Sequence, residues 1–280
     1  GGKMLRPAFV LIGGKFGQKI STDLVPLATA IESIHLATLI HDDIIDEASL
    51  RRGAPTIQAK YGKSYAVYMG DYLFSQTFVT LASHQASVDQ LRALARAVAL
   101  ICKCEMNQNS KRYDVNLKSL DYIKIVSGKT AALFAASLAT GAKESGASDK
   151  TCKQLGKIGY FVGMAFQLRD DLLDYTSNQE VMGKEVQADI GRGYYSLPMI
   201  LAIGGQMGGE VKSILRKTTL DLEDVRLLIQ LATTSGGVAQ TEQLATKYTN
   251  KALHLVEQLE EGEGKQILQT LIPRLLARKY

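Results

Sequence analysis

Residues 27–46 read LATAIESIHLATLIHDDIID. One stripe at helical spacing runs through Leu27, Ile31, Ile34, Thr38 and Ile45 and meets three aspartates, Asp42, Asp43 and Asp46. Residues at i, i+3 and i+4 share a helix face. Asp42 and Asp46 therefore point together, with Asp43 beside them. Like charges at that spacing cost a helix about 0.2–0.5 kcal/mol per pair, so the cluster calls for a compensating cation. The pattern returns in residues 161–174, FVGMAFQLRDDLLD, as Asp170, Asp171 and Asp174. One Asp-Asp-x-x-Asp alone reads as a solvated acidic face. Two copies in similar apolar helices read as a pair of metal-binding clusters.

The surrounding chain has the same character. Leu91, Leu94, Val98 and Ile101 mark another helix, and Val225, Leu228 and Leu231 a third. Ala, Leu, Gln and Lys, all good helix formers, dominate. The prolines stand at 7, 26, 55, 198 and 273, leaving none between Pro55 and Pro198. No alternating strand pattern of useful length appears, and no Asn-Gly or Asp-Gly hairpin signal. Breaks are expected at Gly141 to Lys150, Gly204 to Gly209 and Ser235 to Gly237. The expectation is an all-α fold: a single domain over 1–280, a bundle of roughly ten or more helices.

Composition narrows the function. A hydrophobic fraction of 46% with a net charge of only +5 excludes a disordered chain. The same +5 is too weak to argue for nucleic acid. Cys102, Cys104 and Cys152 form neither a disulfide framework nor a zinc site; reduced thiols in the cytoplasm are expected. No uninterrupted apolar run approaches 18 residues, so no membrane-spanning helix is expected, and no signal peptide is visible. The chain starts at Gly1-Gly2-Lys3 without methionine, so further residues are expected upstream.

Carboxylates without thiolates or paired histidines suit Mg²⁺, with Mn²⁺ as the alternative. Mg²⁺ takes one or two carboxylates and completes its shell with water and phosphate oxygens. Two such clusters facing each other would hold a polyphosphate. Basic residues lie near both: Lys3 and Arg6, then Arg51-Arg52-Gly53, Ser127-Gly128-Lys129-Thr130 and Gly183-Lys184. Arginine grips phosphate with a fork and lysine with a point charge. Gly128-Lys129-Thr130 is not a P-loop, because Ile123 stands where that motif needs glycine. His35, His84 and His254 give His41 no companion set for a metal phosphohydrolase.

Taken together these residues resemble the trans-type polyprenyl diphosphate synthases over nearly the whole chain. The match runs through Gly2-Lys3-Met4-Leu5-Arg6-Pro7, His35, Asp42 to Gly53 with Pro55-Thr56, and Gly70-Asp71-Tyr72-Leu73. It continues through Lys129-Thr130, Phe166-Gln167-Leu168-Arg169-Asp170-Asp171-Leu172-Leu173-Asp174, Gly183-Lys184 and Leu197-Pro198. The resemblance implies an all-α bundle around a central cavity, a homodimer, and chain elongation from an allylic diphosphate and isopentenyl diphosphate. It implies Asp42, Asp46 and Asp170 as main metal ligands, supported by Asp43, Asp171 and Asp174. Arg51, Lys129, Thr130, Gln167 and Lys184 are then expected on the allylic diphosphate, and Lys3, Arg6, His35 and Arg52 on isopentenyl diphosphate.

Two departures stand out. Tyr194 occupies the place of a phosphate-binding lysine; it can donate a hydrogen bond but brings no charge. Some hexaprenyl- and heptaprenyl-type catalytic subunits lack that lysine too. The family also has about two helices before its Gly-Lys. Product length is read from the stripe above Asp42: Thr38 and Ile34 follow at steps of four, with the small Ala37 one position off. A bulky floor is missing there, so a medium- to long-chain product for quinone side chains is expected, and with so apolar a product peripheral membrane association. The alternatives are a short-chain synthase, or a catalytic subunit inactive without a small regulatory partner. A terpene cyclase would normally lack the second aspartate motif and the Lys3, Arg6 and Arg52 set.

Overall fold

The computed structural model describes residues 4–18, 24–84, 87–176 and 189–276. Among them are thirteen α-helices: α1 (Leu5–Gly14), α2 (Val25–Ile45), α3 (Ile57–Tyr61), α4 (Lys63–Ser83), α5 (Val88–Ser110), α6 (Ser119–Val126), α7 (Ala132–Glu144), α8 (Asp149–Thr176), α9 (Leu197–Gly204), α10 (Gly208–Leu215), α11 (Leu222–Thr234), α12 (Gly237–Glu257) and α13 (Glu263–Leu276). The fold is all-α. The stripes read from the sequence fall on α2, α5 and α11.

Three details differ from the sequence reading. Gly141 lies inside α7, because a side chain there would run into the backbone of Val10. Gly13 meets the Leu138 carbonyl in the same way, so these two glycines let α1 and α7 touch backbone to backbone. A short hairpin also exists: β1 (Leu50–Arg51) pairs antiparallel with β2 (Ala54–Pro55). Its turn is Arg52-Gly53, with φ of 52° and 77°, the left-handed pair that a tight two-residue hairpin requires. Finally, residues 119–144 are long and apolar enough to cross a membrane by length and composition, though 67% of that window is buried inside the protein.

The chain groups into two compact units. One comprises Gly1–Val98, Leu133–Gly159 and Glu261–Gly264; the other comprises Ala99–Ala132, Tyr160–Glu260 and Lys265–Tyr280. In the first, α2 packs on α1 and on α4. It buries Leu27, Ala28, Ala30, Ile31, Ile34 and Ala37, whereas Val25, Leu36 and Ile45 are exposed. Phe9 of α1 meets Phe134 of α7 edge to face at 5.4 Å. In the second, α9 is the hub. Six of its eight residues are buried, and it packs on α6, α10, α11 and α12. Pro198 suits its first turn, where no N–H partner is lost. Gly237, at the start of α12, closes on the Pro198 carbonyl.

Candidate active site

The first aspartate motif occupies the last turn of α2 and the residue after it. Asp43 is buried, whereas Asp42 and Asp46 are partly exposed. The reason is a clasp formed by the hairpin. Arg51 Nε donates to Asp43 Oδ1 at 2.7 Å. Gln58 Nε2 donates to the Asp43 carbonyl at 2.6 Å and to the Ala48 carbonyl at 2.9 Å. The Thr56 hydroxyl donates to Ala48 O and accepts from Ala59 N, capping α3. Asp43 is thus fixed through both side chain and backbone. Arg52 sits at the hairpin tip with a left-handed backbone that costs a non-glycine residue about 1–2 kcal/mol.

On the other side of the motif, His41 Nε2 lies 3.3 Å from both the Val67 carbonyl and Asp71 Oδ1. Its ring leans on Phe74 at 5.7 Å. Gly70 makes room for it, since any side chain at that position would strike the imidazole. The Gly70-Asp71 motif thereby seats the end of α2 on α4.

A cationic group shares this unit. Arg6 is half-buried over the Phe134 ring at 4.9 Å, and its buried Nε has no hydrogen-bond partner among the described residues. Burial is the main cause that lowers its pKa to about 10, opposed by the charge of Glu32 and helped by Arg52. Glu32 is raised, first by burial, while Arg6 and Arg52 hold it down. Burial first, then Arg6, Arg52 and Arg51, pushes His35 down to about 3. His35 is therefore neutral at physiological pH. Arg51 is paired with Asp43; Arg6 and Arg52 share the single half-buried carboxylate of Glu32, so the group keeps surplus positive charge and suits an anion. Arg6, His35, Arg51 and Arg52 are brought together; Lys3 lies outside the described residues.

The second motif lies near the end of α8. Again the middle aspartate is buried: Asp171 accepts from Tyr122 OH, and from Gln167 Nε2 at 3.0 Å. Gln167 Oε1 in turn accepts from the Thr130 hydroxyl at 2.9 Å. Burial dominates the Asp171 carboxyl and pushes it up to about 7, against the pull of the two hydrogen bonds. Asp170 is exposed and Asp174 partly so.

Lys129 and Thr130 do not stand at the start of a separate helix. They sit on a π-turn, Ser127–Ala131, that joins α6 directly to α7. Such turns are frequent at functional sites because they rotate neighbouring side chains out of α register. Here Thr130 is buried against Gln167. Lys129 bonds Glu105 at 3.0 Å and Gln108 at 3.0 Å on α5. Gly128 lets the turn close on Cys104 and Leu100, so this glycine serves packing. Tyr194 is half-buried beneath the Arg112 guanidinium at 5.1 Å. Lys184 lies outside the described residues. On the product-length stripe, Ile34 and Ala37 are buried, and the Thr38 hydroxyl donates to the His35 carbonyl at 2.7 Å.

Sequence reasoning missed Gln58, Glu105, Gln108, Arg112 and Tyr122. Glu105 and Gln108 were detectable as polar residues three apart on α5. Tyr122 carried no signal, because only the fold sets its hydroxyl beside Asp171.

The donor set can be tested against Mg²⁺. Among the described residues no three His, Cys, Asp or Glu side chains converge into a cage. The carboxylates of the two motifs are hard oxygen donors, the kind of ligand that Mg²⁺ takes in ones and twos beside water and phosphate oxygens.

A model of the family described as Polyprenyl synthetase matches residues 1–232. Heptaprenyl diphosphate synthase component 2 of Geobacillus stearothermophilus is 34% identical over 280 residues, spanning 100% of this chain and 87% of that protein. The crystal structure of geranylgeranyl pyrophosphate synthase from Lactobacillus brevis superposes with a TM-score of 0.94 at 35% identity, over 99% of this chain and 87% of that one. Polyprenyl synthase from Caulobacter crescentus, complexed with calcium and isoprenyl diphosphate, gives 0.91 at 33%, over 100% and 86%. Two aspartate motifs in equivalent helical settings and a match along the length of the chain have one reading: the protein belongs to the polyprenyl synthetase family, whose members are prenyltransferases.

Proposed function

We propose that the chain is a Mg²⁺-dependent trans-polyprenyl diphosphate synthase making a medium- to long-chain product for quinone side chains. The observation that carries the reading is the shared layout of the two motifs. In both, the middle aspartate is buried and tied to protein, while the outer aspartates reach the surface. Asp42, Asp46 and Asp170 would hold Mg²⁺, which would neutralise the charge growing on the departing diphosphate.

The remaining roles are those that the family resemblance implies for these positions. Arg51, Lys129, Thr130, Gln167 and Lys184 hold the allylic diphosphate. Its carbon–oxygen bond breaks and the electron pair leaves with diphosphate. Lys3, Arg6, His35 and Arg52 orient isopentenyl diphosphate, whose double bond forms the new carbon–carbon bond. A neutral His35 donates one hydrogen bond without adding a further charge beside three arginines. The released diphosphate accepts the proton, so no protein base is required.

The deciding experiment supplies purified chain with Mg²⁺, farnesyl diphosphate and labelled isopentenyl diphosphate, and sizes the products by chromatography. Labelled products longer than geranylgeranyl diphosphate are expected. Cyclic hydrocarbon without incorporated label would overturn the reading. For the length pocket, Ala37→Phe should shorten the product; an unchanged product would remove Ile34, Ala37 and Thr38 from that role.

A second reading, a catalytic subunit that needs a small partner, is favoured by the relative named component 2. It requires the chain to be silent alone and active with the partner added. For the quaternary state we propose a homodimer. Tyr65, Tyr68, Tyr72 and Val79 lie exposed on one face of α4, a surface that water solvates poorly. Light scattering should return twice the chain mass, and Tyr72→Glu should return the monomer. A cytoplasmic location, with product release at a membrane surface, completes the proposal.

A further inference from the structure

Arg112 follows α5 in a turn and is held with unusual care. Its Nε donates to the Arg192 carbonyl at 2.7 Å. Its guanidinium lies over the Tyr113 ring at 5.5 Å and the Tyr194 ring at 5.1 Å. The flanking backbone is clipped in place as well. Tyr113 N donates to the Gly193 carbonyl at 3.0 Å, and the Tyr113 hydroxyl to the Gly191 carbonyl at 3.2 Å. Tyr113 takes a left-handed φ of 61° to do so, and Gly193 takes 80°. A side chain on Gly193 would strike Tyr113. One left-handed non-glycine residue, a glycine turn and three hydrogen bonds thus fix one arginine against two aromatic rings.

Yet no carboxylate among the described residues pairs with Arg112. Its neighbours Asp114 and Asp189 have cations of their own, Lys111 at 3.5 Å and Arg192 at 3.6 Å. Arginine carries five N–H donors, and among the described residues only Nε–H is taken. Its location is informative too. Gln108, which binds Lys129, lies four residues before it, one helical turn away.

We propose that Arg112 is a phosphate-binding residue, presented by Tyr113 and Tyr194 to the diphosphate that Lys129 also holds. It supplies the cation that Tyr194 itself cannot. A planar guanidinium stacked on aromatic rings keeps its remaining N–H groups in one plane, which suits forked contact with phosphate oxygens. This assignment rests on the elongation reading above for the identity of its ligand.

The test measures binding of inorganic diphosphate with Mg²⁺ by calorimetry, and steady-state kinetics for both substrates. Arg112→Gln should weaken diphosphate binding about tenfold and raise the KM for allylic diphosphate by a similar factor. The KM for isopentenyl diphosphate should stay within about twofold. Arg112→Lys retains the charge and should recover at least part of the loss even if Arg112→Gln unfolds at a lower temperature. Undiminished diphosphate binding in both variants, whatever their thermal stability, would overturn the assignment and leave Arg112 a structural clasp. If the wild type binds diphosphate but never elongates, and Arg112→Gln still loses that binding, the elongation reading fails while the phosphate assignment holds.

Discussion

The two aspartate motifs share a sequence pattern but are held differently. Asp43 is buried against a charge: Arg51, on a hairpin, bonds its carboxylate, and Gln58 holds its carbonyl. Asp171 is buried against neutral groups, the Tyr122 phenol and the Gln167 amide. Phenol and amide donors only partly offset the desolvation of a buried carboxylate. That accounts for Asp171 titrating near 7. The first motif is therefore fastened to a surface element by charge. The second is built into a neutral network inside α6, the π-turn and α8.

The largest effect should come from the outer aspartates. Asp42→Ala and Asp170→Ala should each reduce turnover by about 10²–10³-fold or more, as removing a transition-state charge partner does. Near-normal turnover in either would break the claimed equivalence of the motifs.

The middle aspartates should respond through stability. Tyr122→Phe leaves a fully buried carboxyl short of a donor and should cost about 1–3 kcal/mol in denaturant unfolding. Arg51→Gln should cost about 1–2 kcal/mol, the usual penalty for a broken buried pair reduced because Arg51 is 37% exposed. High salt sharpens the contrast. Screening should narrow the gap between wild type and Arg51→Gln and leave the Tyr122→Phe gap unchanged. Equal salt sensitivity would remove the distinction between charged and neutral fastening.

The pH dependence has a defined sign. In the metal-free protein the Asp171 pKa is raised from 3.8 to about 7 on folding. The folded chain holds a proton that the unfolded chain has released, so this contribution is full below 3.8 and is lost as pH rises through about 7. Asp171→Asn, neutral at every pH, should show a flatter melting profile across that window and exceed wild type at pH near 8. A parallel profile would reject the neutral network.

The smallest effect is expected at Gly70. Glycine to alanine inside a helix ordinarily gains about 1 kcal/mol. Here the added methyl strikes His41, so Gly70→Ala should give no gain and should lower turnover through the seat of Asp42. A clear rise in melting temperature at full activity would free His41 from that role.

Much of the protein was legible from the order of residues. Helical stripes at 27–45, 91–101 and 225–231 gave the fold class, because burial on one face imposes a 3.6-residue period. The aspartate pairs were legible because i and i+4 share a face. The hairpin was not, since Arg52-Gly53 replaces the usual Asn-Gly or Asp-Gly and its strands are two residues each. The π-turn was not either, since Ser127 to Ala131 contains nothing foreign to an α-helix.

The amino-acid sequence by itself determined that this chain is all-α, carries two helical aspartate motifs and has arginine and lysine near both. Local periodicity and fixed side-chain chemistry suffice for that. Only the tertiary structure decided that Asp43 and Asp171 are the buried members of their motifs, that His35 is neutral, and that Arg112 lies over Tyr194 with no carboxylate pairing it among the described residues. Those properties depend on burial and on partners many residues away, such as Tyr122 for Asp171 and Arg6 for His35. Desolvation and long-range contacts do not exist until the chain has folded.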